Sequence, residues 1–270
     1  MLNNITFGQY FPGNSPLHRM DPRMKLILTI AYVVLLFVVN NWLGFVVTAL
    51  YLVACILISK IPFKLVLRGV KPIIPLVVFT SILNMFFVDG QILVKLGFLE
   101  LTVDGIVLAI KMTLRIVLLI MGSSLLTYTT SPIALTDGIE HLLKPLEKIH
   151  FPVHEMAMMM TIALRFIPTL IEETDKIMSA QKARGADLES GGLIQRIKAL
   201  VPILIPLFIS AFRRAEELAL AMECRCYRGG DGRTSLRQLA YSKLDVYGLL
   251  ITALCTVCVV LMNLFVPNLF

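Results

Sequence analysis

Apolar residues in this chain gather into long runs, whereas a water-facing helix would space them every three to four positions. Five runs stand out: Leu26 to Val39, Trp42 to Ser59, Val70 to Val88, Ile106 to Tyr128 and Leu249 to Val266. The first two are separated only by Asn40-Asn41. As one helix they would reach roughly 51 Å, far beyond a hydrocarbon core of about 30 Å, so two antiparallel spans with a tight Asn-Asn turn are predicted. In the third run Pro72 and Pro75 fall in the first turns, where a missing amide costs least. The pattern predicts an all-α integral membrane protein with about five transmembrane helices.

Charge then orients the spans. Arg19, Arg23 and Lys25 against Asp21 give +2 before the first span, and Lys60, Lys64, Arg68 and Lys71 give +4 after the second. Lys95 against Asp89, Glu100 and Asp104 gives −2 between the third and fourth, and the Asn-Asn turn is uncharged. Basic loops stay inside, so the signs alternate without violation. The prediction is a membrane part at 1–128, a cytoplasmic helical insert at 129–243 and a last span at 244–270, with a cytoplasmic N-terminus and an external C-terminus. The N-terminal stretch lacks the layout of a cleavable signal peptide, so the first run is expected to be retained.

The insert carries 15 basic and 13 acidic residues, a mixed composition that does not suggest nucleic acid. Thr130-Ser131-Pro132 predicts a helix start and a short helix to about Ile149. Two long helices follow, His154 to Arg184 and Leu193 to Arg225, broken at Gly191-Gly192. Each opens apolar with prolines (Pro168; Pro202 and Pro206), passes through a charged stretch, and ends in small residue, Arg, small residue. Their apolar halves are too short for comfortable spans. They are expected to pack on each other beneath the bilayer, with a re-entrant hairpin as the alternative.

Composition agrees with lipid as solvent: 57% of the 270 residues are apolar and 16% charged. Formal net charge is +7, and an anionic leaflet accounts for it better than nucleic acid does. The five cysteines, an odd number, fit a reduced environment better than a disulfide framework. Neither Cys224 with Cys226 nor Cys255 with Cys258 has a second ligand pair at zinc spacing, and Pro152 spoils a helical pairing of His150 with His154, so no metal is expected. An H-E-x-x-H helix is absent, which leaves the Glu172-Glu173 and Glu216-Glu217 pairs as solvated faces with i, i+4 partners. No catalytic residue is predicted.

The most informative features are the helix ends Ala183-Arg184-Gly185 and Cys224-Arg225-Cys226. Unsatisfied carbonyls at a helix C-terminus favour arginine, and a following glycine permits the left-handed turn. Capping alone explains one such arginine. Two of them, 41 positions apart in a duplicated unit, suggest guanidinium groups offered for forked ion pairs with a carboxylate in a partner's groove.

With these ends, Ser15-Pro16-Leu17-His18-Arg19-Met20-Asp21-Pro22-Arg23-Met24-Lys25, Leu125-Leu126-Thr127-Tyr128-Thr129-Thr130-Ser131-Pro132, Ala180-Gln181-Lys182-Ala183-Arg184-Gly185 and Ala221-Met222-Glu223-Cys224-Arg225-Cys226-Tyr227 occur in one order over most of the chain. In them the sequence resembles the transmembrane T component of energy-coupling factor (ECF) transporters of vitamins and metals. It departs in one place, where cysteines replace both small residues around Arg225. The resemblance implies membrane helices that hold a substrate-binding S component, and two coupling helices that each seat an arginine in one of two ABC ATPase subunits. It also implies that ATP and Mg are bound by those ATPases. The chain itself has no G-x-x-x-x-G-K-[ST] phosphate loop and is expected to carry no cofactor.

Two further groups invite a role. Lys111 and Arg115, four apart on the fourth span, share a face, and charge at membrane depth is expensive. They predict a structural pair or an S-component contact; a stand-alone secondary transporter or channel is the alternative reading. Met156, Met159 and Met160 lie in a methionine-rich stretch suited to repacking against several partners, or simply to core filling.

Overall fold

In a computed structural model the chain is described over residues 10–88, 90, 92–96, 99–186, 192–230 and 238–265. It divides into two compact units, Gly8–Gly138 with Gln238–Phe270, and Ile139–Arg237.

The first unit opens with α1 (Pro16–Arg19), capped by Ser15, and α2 (Pro22–Val38), where Asp21 accepts from the Arg23 amide and Pro22 takes the first helical position. After the Asn40-Asn41 turn come α3 (Trp42–Ser59), α4 (Phe63–Val70), a 3-10 turn (Lys71–Ile73) and α5 (Ile74–Phe87). A two-stranded hairpin, β1 (Ile92–Leu96) antiparallel to β2 (Leu99–Thr102), leads into α6 (Val103–Thr129), and α7 (Pro132–Leu143) starts in this unit and ends in the second. The first unit closes with α10 (Lys243–Phe265). Among the described residues, Trp42–Ser59, Phe63–Phe87, Val103–Thr129 and Lys243–Phe265 are long and apolar enough to cross a bilayer. With 17 residues, α2 is at the short end of the spanning range, because Pro22 and the Asn-Asn turn bracket it closely.

Several boundaries differ from the sequence expectation. The third span begins at Phe63, not Val70, so Lys64, Arg68 and Lys71 stand on helix instead of loop. Pro72 and Pro75 then fall mid-span. There the missing amides tighten the helix into a 3-10 turn without ending it. The segment before α6 contains a hairpin where only a loop was expected; Thr102 ends it, donating to the Val88 carbonyl (2.7 Å) and accepting from the Gly105 amide (3.1 Å). The last helix starts six residues early, at Lys243. The expected end at Val266 and the C-terminal residues lie outside the described residues.

Helix α6 is the hub, packed by α2, α3, α4 and α5, while α10 packs on α2 and α3. Leu35, Leu36, Val39, Phe45, Leu118 and Val259 form the buried centre. Gly122 permits the closest approach: a Cβ there would lie 2.2 Å from the Tyr32 ring. Small residues and interhelical hydrogen bonds hold helices together where lipid offers no hydrophobic drive. Tyr32 accordingly donates to the Leu118 carbonyl (3.1 Å), Tyr51 bonds Thr252 (2.8 Å) and Ser81 bonds Thr113 (2.7 Å). Outward positions such as Ile30, Phe37, Leu57 and Leu254 are exposed apolar side chains, as a lipid-facing surface requires.

The charges at the start of α2 are internally satisfied. Buried Asp245 accepts from the Asp21 amide (2.9 Å) and from the amide and hydroxyl of Ser242 (2.6 and 2.9 Å). Asp21 pairs with Arg23 (2.8 Å), whose guanidinium lies 4.3 Å over the Tyr241 ring. Lys25 donates to the carbonyls of His18 (3.2 Å) and Thr129 (2.9 Å). This polar knot ties the start of α2 to α1, to the start of α10 and to the end of α6.

In the second unit a 3-10 segment (Lys144–Ile149) ends at His150 in the left-handed conformation, so the short helix expected to reach Ile149 stops as α-helix at Leu143. Helices α8 (Val153–Ala183) and α9 (Leu193–Cys224) follow, within a residue of the predicted ends.

Candidate docking site on the two long helices

At about 1.5 Å per residue, the 31-residue α8 and 32-residue α9 are rods of roughly 47 Å each. Their pairing is antiparallel. Glu173 on α8 meets Ser210 and Arg214 on α9, while Gln181 further along α8 reaches back to the Pro202 carbonyl (3.4 Å). Just past α9, Gly230 lies against the ring of His154 at the start of α8. The two C-terminal ends therefore sit at opposite ends of the pair.

Both ends close by the same hydrogen bonds. At α8 the Gly185 amide donates to the Lys182 carbonyl (3.0 Å) and the Ala186 amide to the Gln181 carbonyl (3.0 Å). At α9 the Cys226 amide donates to Glu223 (2.8 Å) and the Tyr227 amide to Met222 (3.0 Å). Each is a Schellman motif with a left-handed residue after the cap, Gly185 at φ 85° and Cys226 at φ 56°. Arg184 and Arg225 occupy the matching cap positions. Both side chains are exposed, and neither makes an ion pair among the described residues. Ala183 and Cys224, the last helical residues, are exposed too. Two exposed guanidinium groups thus stand at equivalent, hydrogen-bonded tips, each flanked by small side chains.

Between the tips lies a clamp that was not foreseen. Glu173 forms an ion pair with Arg214 (2.9 Å) and accepts from the Ser210 hydroxyl. That hydroxyl first, and the Arg214 charge after it, hold the Glu173 carboxyl below the usual carboxylate range. The expected i, i+4 partner on its own helix gives way to one on the neighbouring helix. A signal was present, for Glu173 and Arg214 are 41 positions apart, the same offset as Arg184 and Arg225.

The apolar halves are not packed on each other as expected. Antiparallel pairing sets the apolar half of α9 beside the charged half of α8, and Val201, Ile205, Phe208 and Phe212 remain exposed along α9. Met156, Met159 and Met160 are likewise exposed, toward the end of α8 that neighbours Arg225.

In the first unit, Lys111 and Arg115 face the turn between α2 and α3. Arg115 donates to the Val39 carbonyl (2.6 Å) and lies 5.8 Å from the Phe45 ring centre; the Lys111 ammonium lies 5.7 Å from that of Trp42. Arg115 thereby satisfies a carbonyl freed at the end of α2. Among the described residues no cluster of His, Cys, Asp or Glu could hold a metal ion. His154 pairs instead with Glu140 (2.9 Å), and His150 is an exposed cap.

Comparison with known proteins places this architecture. A family model described as cobalt transport protein (CbiQ) matches residues 13–236. Energy-coupling factor transporter transmembrane proteins EcfT are similar along nearly the whole length. The Ruminiclostridium cellulolyticum protein is 55% identical over 97% of this chain and 98% of its own. That of Clostridium kluyveri is 56% identical over 97% and 98%, and that of Bacillus subtilis 48% over 91% and 93%. Among the described residues, four bilayer-length apolar helices and two long helices with matched arginine tips are thus found in a chain that belongs to the family of transmembrane components of ECF transporters.

Proposed function

We propose that this chain is the mechanical coupling subunit of an importer of vitamins or other micronutrients. Arg184 and Arg225 dock two ABC ATPase subunits that bind ATP and Mg, and ATP-driven motion of those subunits passes through α8 and α9 to a substrate-binding S component. One T component serving several S components is consistent with the adaptable methionines Met156, Met159 and Met160. The reading places the N-terminus and 129–243 in the cytoplasm, counts α2 as the first of five spans, and puts the C-terminus outside. It takes 1–128, 129–243 and 244–270 as the membrane, coupling and final membrane segments, and assigns no catalysis to this chain.

The observation that carries it is the pair of exposed arginines on equivalent Schellman ends of two paired helices. Lys111 and Arg115 give the channel alternative no support, since their charged groups are taken up by Val39, Phe45 and Trp42. The test is co-purification of nucleotide-binding subunits with Arg184→Glu, Arg225→Glu and the double variant. Each single variant is expected to weaken assembly and the double to abolish it together with ATP-driven uptake. Full assembly and uptake in the double variant would overturn the proposal.

A further inference from the structure

In the membrane unit, α1, α2, α3, α6 and α10 enclose a groove of about 250 Å³ whose walls are almost wholly apolar, among them Met20, Ala54, Leu125 and Ile251. Apart from the exposed Tyr247, the polar side chains along it are engaged, with one exception among the buried ones. Thr29 donates to the Lys25 carbonyl, Tyr32 to Leu118 and Thr129 to Leu125, and Tyr51 bonds Thr252. Lys25 is the exception. Its ammonium has three donors, and protein carbonyls take two. Lys25 is buried, lines the groove, and stands where α2 begins.

Charge at this end selects the occupant. Asp21 pairs with Arg23, and Asp21 and Asp245 both act on the Lys25 ammonium, so the buried knot is balanced in charge, whereas Arg19 and Lys243, adjacent in sequence to the lining residues Met20 and Leu244, are exposed and leave the rim basic. An apolar channel in a membrane-spanning bundle, ending at a buried cation with a spare proton and a basic rim, matches a molecule with an acyl tail and a phosphate head. We propose that one phospholipid, preferentially anionic, sits here with an acyl chain in the groove and a phosphate oxygen on Lys25. Bound this way, it would fill the gap between α2, α3 and α10 and bridge the polar knot.

Native mass spectrometry of the full chain, released from mild detergent and titrated with phosphatidylglycerol, diacylglycerol or inorganic phosphate, tests it. The expected result is one phosphatidylglycerol per chain, held at least tenfold more tightly than diacylglycerol, an advantage that Lys25→Met removes. Because Lys25 also supports two carbonyls, Ala54→Phe is the second variant. It blocks the tail from an exposed position, leaves Lys25 untouched, and should weaken both lipids. Equal affinity for the two lipids, displacement by inorganic phosphate, or unchanged retention in Ala54→Phe would each overturn the proposal. So would crosslinking of a photoreactive residue at position 54 to a partner helix in the whole transporter in place of lipid.

Discussion

Cys226 does a glycine's work at the tip of α9, and its cost can be set against Gly185 at the tip of α8. At φ 56° the cysteine is in the left-handed region, which costs a residue with a Cβ roughly 1–2 kcal/mol. Replacing it with glycine removes that strain but adds freedom to the unfolded chain worth about 0.4–1 kcal/mol. The net gain for Cys226→Gly is about 0.5–1 kcal/mol, a two- to fivefold shift in the opening of the last turn. Gly185→Cys should lose at least that amount, because φ 85° lies beyond the left-handed well that a residue with a Cβ occupies. Hydrogen exchange at the amides of residues 226 and 227, which donate to Glu223 and Met222, reads the first change; those of 185 and 186 read the second. Exchange should slow two- to fivefold in Cys226→Gly and quicken by at least as much in Gly185→Cys. If neither variant moves it, or both move it in one direction, the two ends are not the equivalent devices described above.

Three further outcomes are expected. Gly122→Ala drives a methyl into the Tyr32 ring and should cost about 1–3 kcal/mol in detergent unfolding, and that increment should shrink when it is introduced into a Tyr32→Ala background, itself destabilised by loss of a buried ring. Arg115→Met leaves the Val39 carbonyl without its donor and should destabilise the chain by about 1–3 kcal/mol, while reconstituted Arg115→Met shows no change in ion leak. Glu173 has a folded pKa lowered by Ser210 and Arg214, so its contribution is complete above the unfolded carboxylate value of about 4.3 and is lost as pH falls through the lower folded value. Exchange protection along α8 and α9 should therefore fall in acid for the natural chain and lose that pH dependence in Glu173→Gln.

The long elements were legible because apolar runs and Pro or Gly punctuation speak locally. The ends of α8 and α9 came within a residue, as did the Asn40-Asn41 turn. Charged residues on a short helix misled at Lys64, Arg68 and Lys71, since solubility at a bilayer edge looks the same in helix and loop. Contacts distant in sequence were not legible. Asp21 and Asp245 are 224 positions apart, and neither residue's neighbours announce the other. The arginine tips could be found from repetition, but the direction of α8 against α9 could not, and it decides which halves meet.

That direction also fixes what the pair can do as a lever. Glu173 lies eleven residues before Arg184, and Arg214 eleven before Arg225, so each tip stands about 16 Å along its helix from the clamp. Because the helices are antiparallel, the two arms point in opposite directions from that common point. A rotation of about 10° between the rods there would carry each tip roughly 3 Å, the scale of the small helix shifts that packed interfaces convert into discrete states. With equal arms, two partners acting on the two tips, as the proposed function has it, would have the same mechanical advantage. The cross-helix ion pair is partly solvated, so it resists a turn there only weakly and less so at high salt. In the coupling reading, then, the repeated offset of 41 residues does more than duplicate a docking arginine. It sets the ion pair at the same distance from both tips, so that two partners acting on the tips would move the helix pair evenly.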